Sequence, residues 1–445
     1  MGRLSPHHFL FQHRQVAAHV VPVALYSRMS TSRFVYQPIE DVERLKYYRL
    51  GGYYPILIGD RLHGRYRIVH KLGYGSFSTT WLARDQQLST FAAIKVGTSD
   101  SDHHEVDVLS SITDSTLECK GRGKPLLPVV LDRFNLRGPN GTHFCLVTNP
   151  ARCSLADTKE ASNSGLFHLP VARALAAQLV IAVARIHDQK YVHGDLHLGN
   201  VLLHLPSGLD HLSEEQLYDK FGAPEPEPVV RLDGKPLSPN VPSHAISPVW
   251  LGKSSENVVL SDARLLLVDY GVAFRPSEES RFQSYTPLDI RPPEARFEPT
   301  TPLSFASDIW SLACTVWAIL GQRSLFDSLL ATQDDITCEH VDALGCLPLE
   351  WWERWGARLG KFTNAGQPVE GRSVWSWDQR FEDSIQEPRL SKGMAPLDEK
   401  EKDAFFAMTR WMLAFRPSDR PTAKQVLQTA WMRDWALPEY AKIPE

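Results

Sequence analysis

The pattern of apolar and polar residues divides the chain into a part that favours strands and a part that favours helices. Residues 66–69 begin a run with alternating apolar positions, and residues 91–96 and 143–148 repeat that spacing, so we predict a strand at each. A further strand is predicted over residues 129–131, before a turn at residues 138–141.

Helical spacing appears once among these strands and then dominates the second half of the chain. Residues 102–111 predict a helix, and residues 307–320 predict a buried one. A longer helix is predicted where apolar side chains recur on one face: Val171, Leu175, Leu179, Ala182, Val183 and Ile186.

These segments predict an α+β fold with two lobes. The smaller, β-rich lobe would span residues 66–148, and the larger, helical lobe would span residues 151–432. Residues 1–65 form a leader and extension that we expect to be largely disordered at its start, and residues 433–445 form a tail.

A proline-rich insert at about residues 204–260 interrupts the helical lobe. It begins with a capping box, Ser213 to Gln216, which predicts a short helix that Gly222 ends. Two interpretations of the insert stay open, a docking or localisation segment and a partly disordered surface loop.

Composition narrows the class of protein. Hydrophobic residues make up 43% of the chain and charged residues 22%, as in ordinary soluble proteins. The net charge of -4 provides no basic field for nucleic acid, so we expect no direct nucleic-acid partner. The cysteines are scattered without C-x-x-C spacing, which argues against a zinc site.

The first 39 residues are basic: they contain Arg3, Arg14, Arg28 and Arg33 and no acidic residue. Such a composition is typical of a transit peptide, but it also fits a disordered leader, which we favour. The apolar run at residues 16–26 is too short to cross a bilayer, and we expect no membrane partner.

A glycine-rich turn joins the first two predicted strands. Glycines in such a hairpin let backbone amides approach phosphate oxygens, which predicts a nucleotide site. The residues concerned are Leu72, Gly73, Tyr74, Gly75, Ser76, Phe77, Ser78, Thr79 and Thr80.

A lysine on the next strand would complete this site. The alternation around Lys95 points its ammonium into the cleft, where it can neutralise phosphate oxygens. A carboxylate is needed to orient the ammonium, and Glu105 on the following helix is the candidate, with Asp107 as the fallback.

Two short segments carry acid–base and metal-binding residues. His193-Gly194-Asp195 is followed by Asn200, and Asp195 is the expected general base for a substrate hydroxyl. Asn200 and Asp269, which ends a predicted strand, supply the oxygen ligands that Mg²⁺ prefers.

Farther along, Pro292-Pro293-Glu294 and Arg420 predict a buried ion pair. Glu294 ends a short segment after Asp269, and the pair would tie that segment to the helical lobe.

These motifs in this order resemble a eukaryotic serine/threonine protein kinase over residues 66–432. More narrowly the chain resembles the serine/arginine-rich splicing-factor protein kinases. The residues that carry this narrower likeness are Gly51-Gly52-Tyr53-Tyr54-Pro55, Ile58-Gly59-Asp60, Gly64-Arg65-Tyr66, Lys71 to Thr79, Asn140-Gly141-Thr142-His143, and the position of the insert.

The resemblance implies a bilobal kinase fold, ATP and Mg²⁺ as cofactors, and transfer of phosphate to Arg/Ser-rich proteins in mRNA splicing. It also implies an enzyme that moves between cytoplasm and nucleus. Import into mitochondria through residues 1–39 remains an alternative, and we expect a monomer.

The chain departs from the kinase pattern at two catalytic-loop positions. Gly194 replaces the usual arginine, so there is no ready pocket for a phosphorylated activation segment, and we expect activity without such phosphorylation. His197 replaces the lysine that contacts the γ-phosphate, and we assign it to the catalytic set with slower chemistry expected.

Two other functions compete with this one. A pseudokinase would bind ATP or a partner without turnover, and His197 is the residue that favours it. A small-molecule phosphotransferase would share the His193 to His197 sequence but lack the Glu294 and Arg420 pair.

Overall fold

The computed structural model describes residues 35–116, 125–205, 208–326 and 330–444. The smaller lobe contains a six-stranded antiparallel sheet in the order β1-β2-β3-β4-β6-β5. Its strands are β1 (Arg61–Leu62), β2 (Tyr66–Tyr74), β3 (Ser78–Asp85), β4 (Thr90–Gly97), β5 (Asp132–Gly138) and β6 (Gly141–Thr148). Helix α1 (His104–Thr116) lies between β4 and β5 in the chain.

The larger lobe is mostly helical, with a three-stranded sheet in the order β11-β8-β7. Its strands are β7 (Ala151–Ser154), β8 (Val201–His204) and β11 (Leu265–Leu267). Its helices are α2 (Leu155–Glu160), α3 (Leu169–Asp188), α5 (Glu294–Phe297), α6 (Phe305–Leu320), α7 (Gln333–Leu344), α8 (Leu349–Arg354), α9 (Trp377–Phe381), α10 (Glu387–Ser391), α11 (Glu399–Met412), α12 (Ala423–Val426) and α13 (Leu437–Tyr440). This arrangement has the two lobes and the α+β class that the sequence predicted.

Helices α3 and α6 form the centre of the larger lobe. Both are apolar on nearly every side, as helices buried on all faces must be. By length and composition α3 would be able to cross a membrane, but 78% of its apolar window is buried inside the lobe. It is a core helix, and the segment that contains Asp195 follows its C-terminal end.

The strand predicted at residues 129–131 is wrong, because the hairpin partner of β6 begins at Asp132. The apolar side chains before it pack against the core of the larger lobe, where Leu126 and Leu127 are buried and Val130 is partly buried. β5 itself has Phe134 as its buried side chain and otherwise polar or exposed positions. The apolar side chains before β5 therefore contribute to that core, whereas Leu131 is 50% exposed.

The insert is folded along its described residues, so the interpretation as a partly disordered loop is wrong for them. Helix α4 (Glu214–Phe221) starts at the predicted capping box and ends at Gly222. A hairpin of β9 (Pro226–Pro228) and β10 (His244–Ile246) follows. The Tyr218 hydroxyl donates to the carbonyl of Val69 at 2.9 Å, and Asp210 accepts from the Phe91 amide at 2.7 Å. The insert thus leaves the larger lobe and docks on the smaller one.

The extension before β1 packs against both the insert and the sheet. Its first described residues pair with the insert, since the Gln37 amide donates to the Val230 carbonyl at 2.9 Å. Farther on, Glu43 forms a buried ion pair with Lys71 and accepts a hydrogen bond from Tyr48. Burial of an ammonium is tolerable only with such a partner, so the extension belongs to the folded lobe.

Residues after 432, predicted as a tail, continue the core of the larger lobe. Ala436 is fully buried, and Leu437, Tyr440 and Ile443 pack against the cluster that contains α3.

Candidate active site

Lys95 lies between two carboxylates in the cleft. Its Nζ is 2.7 Å from Glu105 Oε2 and 3.2 Å from Asp269 Oδ1. Burial lowers the pKa of the ammonium, but the two carboxylates outweigh that effect and raise its pKa above the usual range. The ion pair with Glu105 that the sequence predicted is therefore present, and the fallback Asp107 is not needed for it.

Asp269 follows β11 in a strained conformation. Its φ is +66°, a value that few non-glycine residues adopt and that clusters at functional sites. Burial raises the pKa of its carboxyl, but Lys95 and then the hydrogen bonds outweigh it, so the pKa lies below the usual value. The next amide, of Tyr270, donates to Glu105 Oε1 at 3.3 Å, which ties helix α1 to this segment.

One buried carboxylate, that of Asp308, holds the segment around Asp195 by hydrogen bonds. Asp308 is 2% exposed and accepts from the amides of His193 at 2.7 Å and Gly194 at 3.0 Å. The His187 ring lies 2.9 Å from the same carboxylate. Sequence analysis missed this role because Asp308 is separated from Gly194 by 114 positions and appeared as part of a helix start.

Asp195 presents one carboxylate oxygen without a protein partner. Oδ2 accepts from the Asn200 amide nitrogen at 3.3 Å, while within the described residues Oδ1 is buried and accepts nothing. A buried acceptor left unpaired costs free energy. The side chain of Asp195 as a whole is 21% exposed, so its carboxyl group remains partly accessible.

His197 stands beside this carboxylate. Its Nδ1 accepts from the Gly199 amide at 3.0 Å, which leaves the proton of the neutral ring on Nε2, 3.6 Å from Asp195 Oδ2. The imidazole can therefore donate a hydrogen bond from Nε2 without being charged.

The glycine-rich turn caps the cleft end of β2 and β3. The Gly75 amide donates to the Ser78 carbonyl at 2.8 Å, which closes the hairpin. Thr79 is 1% exposed and its hydroxyl accepts from the Trp81 indole at 2.9 Å. The side chain of Thr79, which was predicted to bind nucleotide, therefore faces the interior of the sheet. Only the backbone of Thr79 remains available to a nucleotide. Phe77 at the tip is 71% exposed.

Comparisons with known proteins agree with this geometry. The family model of the protein kinase domain matches residues 254–432. A serine/threonine protein kinase of Aspergillus fumigatus is 24% identical over 401 residues, which cover 88% of this chain and 90% of that one. The kinase SRPK of Physarum polycephalum is 26% identical over 414 residues, covering 87% and 90%. Human SRSF protein kinase 3 is 32% identical over 196 residues, covering 42% and 34%.

The chain is a serine/threonine protein kinase that resembles the SRPK kinases. Enzymes of the protein kinase family generally use ATP and Mg²⁺ and act on protein substrates.

The activation segment, which is the stretch between Asp269 and Glu294, passes over Gly194. That residue has a φ of +81°, and a Cβ there would lie 3.1 Å from the carbonyl oxygen of Val272, so glycine fits where arginine would be strained. Arg281 donates to the same carbonyl at 2.7 Å and pairs with Glu279. A cation from the segment itself therefore binds next to Gly194.

The same segment ends at a buried ion pair. Arg420 donates through Nη1 and Nη2 to the two carboxylate oxygens of Glu294, at 2.7 and 2.6 Å. The bidentate pair predicted from the sequence of the kinase is present, and both side chains are almost fully buried.

Proposed function

We propose that this kinase transfers the γ-phosphoryl group of ATP to serine residues of Arg/Ser-rich proteins, with Asp195 as the general base. The carboxylate of Asp195 carries the assignment, because its side chain is partly exposed beside Asn200 and His197 and can accept the proton of a substrate hydroxyl. His197 would donate from Nε2 to a phosphate oxygen, and Lys95, oriented by Glu105, would hold the other phosphates.

The residues present fit a magnesium ion bound together with nucleotide. Asn200 and Asp269 offer hard oxygen ligands, and the backbone bond from Val268 to the Asn200 carbonyl at 2.9 Å keeps the two segments adjacent. Within the described residues no group of three acidic, histidine or cysteine side chains can hold a metal alone, which suits an ion that relies on phosphate and water. When bound, Mg²⁺ would neutralise charge on the phosphates.

Two observations support an Arg/Ser-rich substrate. The relatives named above include an SRSF protein kinase and a kinase named SRPK. In addition, Glu278 and Glu279 of the activation segment keep 64% and 47% of their side chains exposed, and their ion pairs with Arg275 and Arg281 are surface pairs. Surface pairs contribute about 1 kcal/mol or less, so arginines of a substrate can replace them. We also propose, from the same resemblance, that the protein moves between cytoplasm and nucleus.

The decisive experiment measures phosphate transfer from ATP·Mg²⁺ to an Arg/Ser-repeat peptide and to a Lys/Ser-repeat peptide of equal charge. Asp195→Ala tests the base, and Asp188→Ala, on the surface end of α3, is the matched control. We expect transfer by the wild type and by Asp188→Ala, with loss of about 10²–10⁴-fold in Asp195→Ala.

Equal use of the two peptides would reject arginine recognition and retain the kinase. Wild-type protein that binds ATP but phosphorylates neither peptide nor itself would overturn the proposed catalytic role of Asp195 and support the pseudokinase alternative.

A further inference from the structure

The extension before β1 contacts the glycine-rich turn directly. The Tyr53 hydroxyl lies 2.7 Å from the Gly75 carbonyl oxygen and 3.2 Å from that of Ser76. Tyr53 is 3% exposed, and its ring packs against those of Tyr47 and Tyr48. The hydroxyl therefore acts as a buried, shared donor to the tip of the turn.

Backbone contacts fix the position of Tyr53. The carbonyls of Gly51 and Gly52 accept from the amides of Asp100 at 2.9 Å and Ser99 at 3.0 Å. Gly52 has no room for a side chain, because a Cβ would lie 1.7 Å from the Tyr47 carbonyl oxygen. The tyrosine is thus carried on a rigid turn.

The hydrogen bonds from the Tyr53 hydroxyl to the Gly75 and Ser76 carbonyls also fix the direction of the neighbouring amides. In a planar trans peptide the C=O and the following N–H point to opposite sides. Since the Gly75 and Ser76 carbonyls point towards Tyr53, the amides of Ser76 and Phe77 point away from it. Within the part of the chain that the structure describes, no acceptor is assigned to either amide.

We propose that Tyr53 is a positioning residue for nucleotide binding, which orders the tip of the turn so that the Ser76 and Phe77 amides meet the phosphate oxygens of ATP. The inference rests on the ATP site proposed above. Oriented amides bind phosphate tightly because no reorganisation is needed when the ligand arrives. The extension is then a part of the nucleotide site.

The test compares Tyr53→Phe with Tyr54→Phe. Both substitutions remove one hydroxyl from adjacent tyrosines, and within the described residues the Tyr54 hydroxyl makes no hydrogen bond while its ring packs on His143. Dissociation constants are measured for ATP·Mg²⁺ and for adenosine, which lacks the phosphates. We expect Tyr53→Phe to weaken ATP binding about two- to tenfold and to leave adenosine binding unchanged.

The KM for ATP should rise by the same factor with the KM for the peptide unchanged, and Tyr54→Phe should match the wild type in every measurement. Equal weakening of ATP and adenosine, or no weakening of ATP, would overturn the proposal. Failure of the wild type to bind ATP would count against the proposed function instead.

A second measurement applies even when Tyr53→Phe does not fold. Backbone order parameters of Ser76 and Phe77 are measured by nitrogen-15 relaxation in the nucleotide-free wild type. Values of about 0.85, as in rigid backbone, support an ordered tip, and values below about 0.6 overturn it.

Discussion

Asp308 holds the catalytic loop because its carboxylate accepts from the amides of His193 and Gly194 and lies 2.9 Å from the His187 ring. In Asp308→Asn the side-chain amide would face at least one of those donors, and the loop would lose part of its support. We expect kcat to fall about 10²-fold, as for a small displacement of a reacting group, with the dissociation constant of ATP nearly unchanged. Steady-state kinetics and ATP titration check this, with Asp188→Asn as the surface control. Loss of ATP affinity in proportion to kcat would contradict it.

His197 is predicted to work as a neutral donor. Its Nδ1 is engaged with the Gly199 amide, so the useful proton is on Nε2. Steady-state kinetics of two His197 variants test this role. His197→Ala should lower kcat about 10²-fold, as loss of a transition-state donor does. His197→Gln keeps a neutral donor and should lose less; equal losses of kcat in the two variants would contradict the donor role.

Among elements, the end of the activation segment depends on the Glu294 and Arg420 pair. Arg420→Ala leaves a buried carboxylate without its partner, which typically costs about 3–5 kcal/mol. We expect the free energy of unfolding in urea to fall by about that amount. Arg416→Ala removes an exposed pair with Glu350 and should cost about 1 kcal/mol or less. Similar losses of unfolding free energy in Arg420→Ala and Arg416→Ala would show that burial of the ion pair makes no difference to its contribution.

The activation segment itself should need no phosphate. Arg281, paired with Glu279, already supplies a cation beside Gly194, so an added phosphate has no free arginine at residue 194 to bind. We expect enzyme treated with phosphatase to keep its kcat within about twofold. Mass spectrometry confirms removal of phosphate, and loss of turnover on treatment would reject this account.

At the scale of the whole molecule, buried histidines should make stability depend on pH. Burial lowers the pKa of His70 to about 4 and that of His340 to about 3. Since both values lie below the unfolded value of about 6.5, the unfolded chain binds protons first, and the free energy of unfolding falls as the pH falls from about 6.5 towards 4.

His340 is suited to testing this pH dependence. Its ring lies between Trp310 and Phe326, and within the described residues neither ring nitrogen has a hydrogen-bond partner. His340→Leu should reduce the stability lost between pH 7 and 5 by about 2 kcal/mol. Urea unfolding at pH 7 and at pH 5 checks this. An equal loss of unfolding free energy in wild type and variant would show that His340 does not cause the pH dependence.

Apart from the Glu294 and Arg420 pair, the sequence predicted groups that lie close together in the chain. Fixed spacing sufficed for Lys95, for Asp195 with Asn200 and for the capping box of α4, because local backbone geometry dictates those patterns. It missed Asp308 and Tyr53, whose contacts join distant segments. It also misplaced β5, because Val130 packs against the core and the strand begins only at Asp132. Long-range packing left no periodic signal.

The packing of residues 436–443 against α3 has a consequence for biosynthesis. Those residues leave the ribosome roughly 250 residues after α3, which at 5–20 residues per second is a delay of roughly 10–50 s. During that time the apolar surface of α3 that contacts residues 436–443 is exposed. We therefore expect chaperones to bind the larger lobe while it is being synthesised. A chain stopped near residue 430 would expose the same surface permanently and should aggregate.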